Sequence, residues 1–300
     1  VYNIANFRIQ RHHTRGDECR ILAPEDRIVH WGTRASCDLR LAEIVAANRI
    51  VPFRGEVIVI VHGLGNNANT MRSITKYLNE NSLPTIAITY PSTEARLEEC
   101  AGYLNEVLQS MDQVERFHLV GFSMGGLVIR SWLKHHDDPR LDRIVFIGSP
   151  HYGAELADRL LTSQAFTSLL GPGAMQLRSD SDAGSGALPV PNQEFAVIAG
   201  AAGTTMGMNP LIPGDDDGMV SLASAKLAGA SDHVVVRNLH ALLPFDKRVH
   251  AAARRFIETG KLRSRGNVQP ITEREFSDPM ESGMTDAAAR TDASAETANP

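Results

Sequence analysis

The sequence predicts an α/β fold: a mostly parallel central sheet with helices on both faces. Three observations carry that reading. Short β-branched runs alternate with amphipathic helical stretches between residues 54 and 261. The runs are almost wholly apolar, as strands covered on both faces must be. Gly and Pro punctuate their ends.

Composition sets the outer limits. A hydrophobic share of 43% in 300 residues is that of an ordinary globular chain and excludes collagen-like or wholly unfolded classes. The formal charge of -5 gives no basic face, so no nucleic-acid partner is expected. No run of about 18 apolar residues is present, so no transmembrane segment is expected. Cys19, Cys37 and Cys100 are too few for a disulfide framework. A Cys19–Cys37 pair and free thiols both stay open. Residues 1–20 lack the basic start and apolar stretch of a signal peptide. Val1 reads as the start of a fragment or processed product, so a removed leader stays open. A soluble, cytoplasmic chain is the mild preference, and oligomeric state is undetermined.

The elements follow in order. Val57–Val61 is a buried strand stopped by Gly63 and Gly65, and a helix follows over Thr70–Asn81. Thr85–Tyr90 is a second strand, ended by Pro91. Thr93–Met111 places Leu97, Ala101, Leu104 and Leu108 at helical spacing. Strands are expected at Phe117–Val120, Arg143–Ile147, Phe195–Ala199 and His233–Val236, with helices at Met124–His135 and Lys247–Thr259. Residues 151–193 break the rhythm with an apolar helical piece and a Gly/Ser/Asp-rich loop, read as a cap or lid insertion. Its aliphatic side chains suit an acyl chain or an ordinary core equally well. Residues 1–53 form an N-terminal extension packing on the core, with a helix at Asp38–Asn48. Residues 262–300 carry four Arg against seven Asp and Glu and few large apolar groups, and read as a disordered tail.

The chemistry gathers around Ser123. Gly121-Phe122-Ser123-Met124-Gly125 is G-x-S-x-G set between a strand and a helix. A nucleophilic Ser must stand proud of the sheet on a tight turn, and glycines flank it because a Cβ would collide with the neighbouring elements. The helix N-terminus aims the Met124 N–H at a developing oxyanion. The loop His62-Gly63-Leu64-Gly65 follows the first core strand, and Leu64 N–H is the expected second donor. His62 is read as bracing that loop. A tight structural turn is the plainer reading of each segment.

Parallel strands end on one side of the sheet, and sites form there. His240 follows the last strand on that side and is the expected base, whereas His233 lies at the strand's other end and His250 sits inside the closing helix. The acid falls in Gly214-Asp215-Asp216-Asp217-Gly218. Asp217 is favoured because Gly218 permits a sharp turn after it; Asp216 is second, and Asp215 reads as a solvated acid. Calcium held by the three acids is a rival reading. His135-His136-Asp137-Asp138 reads as a solvated helix end, and no metal or cofactor is expected.

At this point the chain resembles an α/β-hydrolase of the lipase/esterase group, particularly its bacterial triacylglycerol-lipase and PGAP-like deacylase branch. Val59–Gly65 (VIVHGLG), His118–Gly126 (HLVGFSMGG), Gly148–Ala154 (GSPHYGA), Asp217–Val220 (DGMV) and the segment from Leu239-His240 carry the resemblance, over about residues 54–261. It implies carboxylic-ester hydrolysis by Ser123, His240 and Asp217, whose chain order is the one such enzymes use. It implies an oxyanion hole from Leu64 and Met124, and places His62, Gly63, Phe122 and His151 along the site. Phe122 departs from relatives that often carry His there, with packing affected more than chemistry. His151 reads as a wall or structural residue. The expected partner is a small-molecule or lipid ester. An acyltransferase or thioesterase using the same triad is the first alternative; a non-catalytic hydrolase-like binding module is the second.

Overall fold

The computed structural model describes residues 2–4, 7–12, 14–24, 27–153 and 188–272. Six parallel strands form the main sheet: β5 (Gly55–Val61), β6 (Thr85–Ala87), β7 (Val114–Phe122), β8 (Leu141–Ile147), β9 (Glu194–Ala201) and β10 (Asp232–Arg237). Their order across the sheet is β10-β9-β8-β7-β5-β6. The order reverses between β5 and β7, so their carboxyl ends open a crevice there.

Strand periodicity splits the core in two. Val57, Val59, Val61, Leu119 and Phe146 pack on one face with α3 (Leu97–Gln109) and α4 (Met124–His135). Ile58, Ile60, Val120, Phe122 and Ile147 pack on the other with α2 (Arg72–Asn81) and the closing helix Lys247–Thr259. Burying each such aliphatic side chain stabilises the fold by about 1.5–3 kcal/mol, which is why these runs carry no polar alternation.

A second sheet lies at the N-terminus, with four antiparallel strands: β1 (Tyr2–Ile4), β2 (Phe7–Arg11), β3 (Glu18–Leu22) and β4 (Ile28–Thr33). Ile9, Cys19, Ile21, Cys37 and Leu41 form its small core beneath α1 (Arg34–Ala47). Arg11 joins the two units, reaching Glu106 at 3.0 Å and lying 5.4 Å above the Tyr103 ring.

Several sequence expectations shift. The helix expected at Asp38 begins at Arg34, because Thr33 Oγ1 accepts the Ser36 N–H and caps it. The helix expected from Thr93 begins at Leu97. Pro91 O accepts the Glu94 and Ala95 N–H groups in a turn first, and Glu99 then accepts the Arg96 N–H. The second strand stops at Ala87. Residues 262–272, expected in the loose tail, are tied to the core: Asp232 accepts from Leu262 N and Gln269 N and pairs with Arg263, and Leu262 and Ile271 are buried. The remainder of that tail, 273–300, and residues 154–187 of the expected cap lie outside the described residues. The cysteines are free and buried. No helix among the described residues is long and apolar enough to cross a membrane.

Candidate active site

Strand β7 feeds directly into α4 through Ser123, the helix N-cap, whose backbone sits at φ 53° and ψ -126°. Such a conformation costs a non-glycine residue about 1–3 kcal/mol, which the surrounding packing must enforce. Ser123 N–H donates to Ile147 O at 2.8 Å, anchoring the turn to β8. A Cβ on Gly121 would lie 2.7 Å from the Gly126 backbone, and one on Gly125 would lie 2.1 Å from Val61 O. The elbow therefore needs glycine at both positions.

His240 opens a 3-10 turn, His240–Phe245, immediately after β10. Its Nε2 lies 3.0 Å from Ser123 Oγ and its Nδ1 lies 2.8 Å from Asp217 Oδ2. Carboxylate oxygens only accept, so the ring proton resides on Nδ1 and leaves Nε2 free to accept from the Ser hydroxyl. The backbone repeats the link: His240 N–H donates to Asp217 O at 2.8 Å. Phe122 lies against the imidazole with ring centroids 5.1 Å apart. Gly148, at φ +56°, leaves room beside it, since a Cβ there would stand 3.3 Å from His240 Nδ1.

Each of the three consecutive aspartates has a different environment. Asp217 Oδ1 accepts from Val220 N at 2.8 Å and Met219 N at 3.1 Å, which fixes the carboxylate while Oδ2 faces His240. Gly218 turns the chain after it at φ +94°. Gly200 in β9 clears the space, as a Cβ there would sit 2.7 Å from Asp217 Cβ. Asp216 is fully buried and accepts from Met208, Asn209 and Gly218 N–H groups. Asp215, read from sequence as a solvated acid, is instead a structural tie: it accepts from Ala202 N at 2.9 Å and Gly203 N at 3.0 Å, closing the end of β9.

The loop after β5 runs against the elbow. A Cβ on Gly63 would lie 2.9 Å from Ser123 Cβ. Among the described residues, no hydrogen bond uses the Leu64 N–H, and Met124 is the first residue of α4, where a helix offers its N–H no acceptor. His62 braces the loop: its Nδ1 donates to Gly63 O at 2.7 Å and its ring stacks on Tyr90 at 4.1 Å. Burial pushes its pKa down to about 4, so the ring stays neutral. Two supports were not anticipated. Tyr90 Oη donates to His62 O, and Ser92 Oγ accepts from Gly65 N at 3.0 Å. Their signal is the run Tyr90-Pro91-Ser92, placed just beyond a strand on the site's side of the sheet.

His151 is fully buried and packs edge-on against Phe146 at 4.7 Å, beside Arg130. Among the described residues its hydrogen bonds and ring contacts go to Arg130, Phe146, Ser149 and Ser224, and none goes to Ser123, Asp217 or His240. The one cluster spaced for a metal among the described residues is Glu56, His118 and Asp142, from the starts of β5 and β8 and the middle of β7. His118 Nε2 donates there to Glu56 at 2.6 Å, and its Nδ1 accepts from Arg143 N at 3.2 Å, so both ring nitrogens are used.

Comparison with known proteins finds thioesterase and esterase relatives. Residues 57–181 match the family model for palmitoyl protein thioesterase. The chain is 29% identical over 111 residues to lysosomal thioesterase PPT2 of Rattus norvegicus, which covers 34% of this chain and 37% of the relative. It thus spans little more than a third of those curated thioesterases. It is 26% identical over 231 residues to pimeloyl-[acyl-carrier protein] methyl ester esterase of Vibrio cholerae, across 66% of this chain and 88% of the relative. Among solved structures, the mature Bacillus licheniformis lipase BlEst2 superposes with a TM-score of 0.53 at 20% identity, covering 68% of this chain and 91% of that one. The fold is that of the α/β-hydrolases, and the family match and the esterase relative both point to their lipase/esterase group.

Proposed function

We propose that this chain is a serine hydrolase cleaving carboxylic esters through an acyl-enzyme. The continuous relay from Asp217 through His240 to Ser123 Oγ carries the reading, because both links lie at hydrogen-bond length with the imidazole in the required tautomer. His240 Nε2 takes the Ser123 proton as Oγ attacks the carbonyl carbon. Asp217 stabilises the imidazolium that forms. The Leu64 and Met124 N–H groups receive the oxyanion, each such donor typically contributing roughly 10²–10³ in rate. The imidazolium then protonates the leaving alkoxide. Water repeats the sequence on the acyl-Ser123 ester and releases the acid. No step requires a metal or cofactor.

Thioester cleavage by the same groups is the second reading, favoured by the thioesterase family match. The chemistry differs only in the leaving group, since a thiolate departs with less need of proton donation. The test is labelling with a fluorophosphonate followed by peptide mapping. Wild type is expected to carry the label on Ser123 and Ser123→Ala none; label elsewhere, or none, removes the reading. Matched acyl esters and thioesters of one chain length then separate the two substrates by kcat/KM.

A further inference from the structure

Among the described residues, the mechanism leaves one buried guanidinium unused. Arg130 lies on α4, two turns beyond Ser123, and is 2% exposed. A guanidinium withdrawn from water must find partners. Among the described residues no carboxylate faces it. Its partners are backbone carbonyls instead: Nε donates to Pro189 O at 3.0 Å, Nη2 to Leu188 O, and Nη1 to His151 O at 3.1 Å. Nη1 also lies 3.5 Å from His151 Nδ1. Burial lowers the Arg130 pKa to about 10. Burial and the adjacent Arg130 drive that of His151 well below its usual value, so the imidazole beside the guanidinium is neutral.

These carbonyls come from two separate pieces of chain. His151 precedes residues 154–187, and Leu188 and Pro189 follow them. A planar fork with five donors can hold both pieces at once, which a lysine ammonium cannot reproduce. The first piece also threads the candidate site. It starts at Gly148 beside the His240 ring and passes Ser149, whose Oγ reaches Gly121 O at 3.5 Å. At its far end His151 N–H donates to Ser224 O at 2.8 Å, and Ser224 Oγ donates to Gly153 O. Any displacement of this strip is felt at His240 and at the elbow.

We propose that Arg130 is a positioning residue that clamps the strips Gly148–Gly153 and Leu188–Pro189 onto the nucleophile helix and, by holding the first of them beside His240, sets which acyl chain the site accepts. The specificity half rests on the serine-hydrolase reading; the clamp does not.

The test uses Arg130→Lys and Arg130→Met in the full chain, with two readouts. Hydrogen exchange is followed in peptides covering 148–153 and 188–193, with β7 as the internal reference. Exchange at both ends is expected to accelerate about tenfold or more while β7 stays within about twofold. Hydrolysis of p-nitrophenyl butyrate and laurate is compared in parallel. The ratio of their kcat/KM values is expected to change by roughly fivefold or more, through KM, with kcat for butyrate nearly kept. A lowered Tm with unchanged end exchange and an unchanged chain-length ratio overturns the proposal, because a merely structural role would give that pattern. Should Arg130→Met not fold, Arg130→Lys decides by the same readouts. Should the wild type cleave no ester, the exchange pattern alone decides the clamp: local acceleration upholds it, and uniform or absent acceleration overturns it.

Discussion

Two histidine–carboxylate pairs lie at different levels of the main sheet, and only one of them meets a side-chain hydroxyl. At the middle of β7, His118 donates from Nε2 to Glu56 at 2.6 Å while Nδ1 accepts the Arg143 N–H. Beyond its finish, His240 donates from Nδ1 to Asp217 at 2.8 Å while Nε2 faces the Ser123 hydroxyl. Both pairs join an imidazole to a carboxylate through a short contact. They differ in what the second nitrogen meets. A backbone amide closes the His118 ring as a static strut; a hydroxyl on a strained turn leaves the His240 ring with a proton to accept. A histidine beside a carboxylate is therefore a weak signal by itself, and the third group decides.

This contrast can be broken at several points. The largest effect is expected from Ser123→Ala, which should lower kcat for a p-nitrophenyl ester by about 10⁶ while leaving the far-ultraviolet circular dichroism unchanged. Asp217→Asn should follow, with a loss of about 10⁴ in kcat, since the amide favours the wrong imidazole tautomer. A similar loss from Asp216→Asn at unchanged Tm would point to the wrong acid. In the other pair, His118→Gln should cost about 1–3 kcal/mol in urea unfolding and leave kcat/KM within about twofold.

Acid should act on the whole fold rather than on one pair. Burial holds His62 down to about 4 against an ordinary 6.5, and lowers His118, His151 and His250 as well. Below pH 6.5 the unfolded chain takes up protons these folded rings refuse. Stability therefore falls as pH falls from 6.5 towards 4, by on the order of 3 kcal/mol for His62 alone. Urea midpoints at pH 7.5 and pH 4.5 measure this, and equal midpoints would show that the rings protonate within the native state. Arg130→Lys, with its change in chain-length preference, is the smallest of these effects and the one that reaches the site from outside it.

Much of the core was legible because its signals are local. Val57–Val61 and Phe195–Ala199 are apolar on every residue, which only a strand covered on both faces explains, and the elbow announces itself by glycines that a tight turn requires. The N-terminal sheet was missed for the opposite reason. Phe7–Arg11 and Glu18–Leu22 hold only five residues each, and Arg8, Arg11 and Arg20 interrupt their apolar positions, a pattern too short to stand out. Asp215 misled because a run of acids reads as solvent-exposed, whereas its oxygens are tied to Ala202 and Gly203 by backbone that sequence places a dozen residues away. Tyr90, Ser92 and Arg130 went unread because each acts on backbone carbonyls or amides of distant segments, and such partners leave no side-chain pattern.

The central claim is that the relay at Ser123, and not the matching pair at His118, activates the nucleophile. The rate of fluorophosphonate attachment to Ser123 measures it most directly, compared among wild type, His240→Gln and His118→Gln at pH 7.5. The account predicts a fall of about 10³ or more for His240→Gln and a rate within about twofold of wild type for His118→Gln. Equal labelling of wild type and His240→Gln would contradict it.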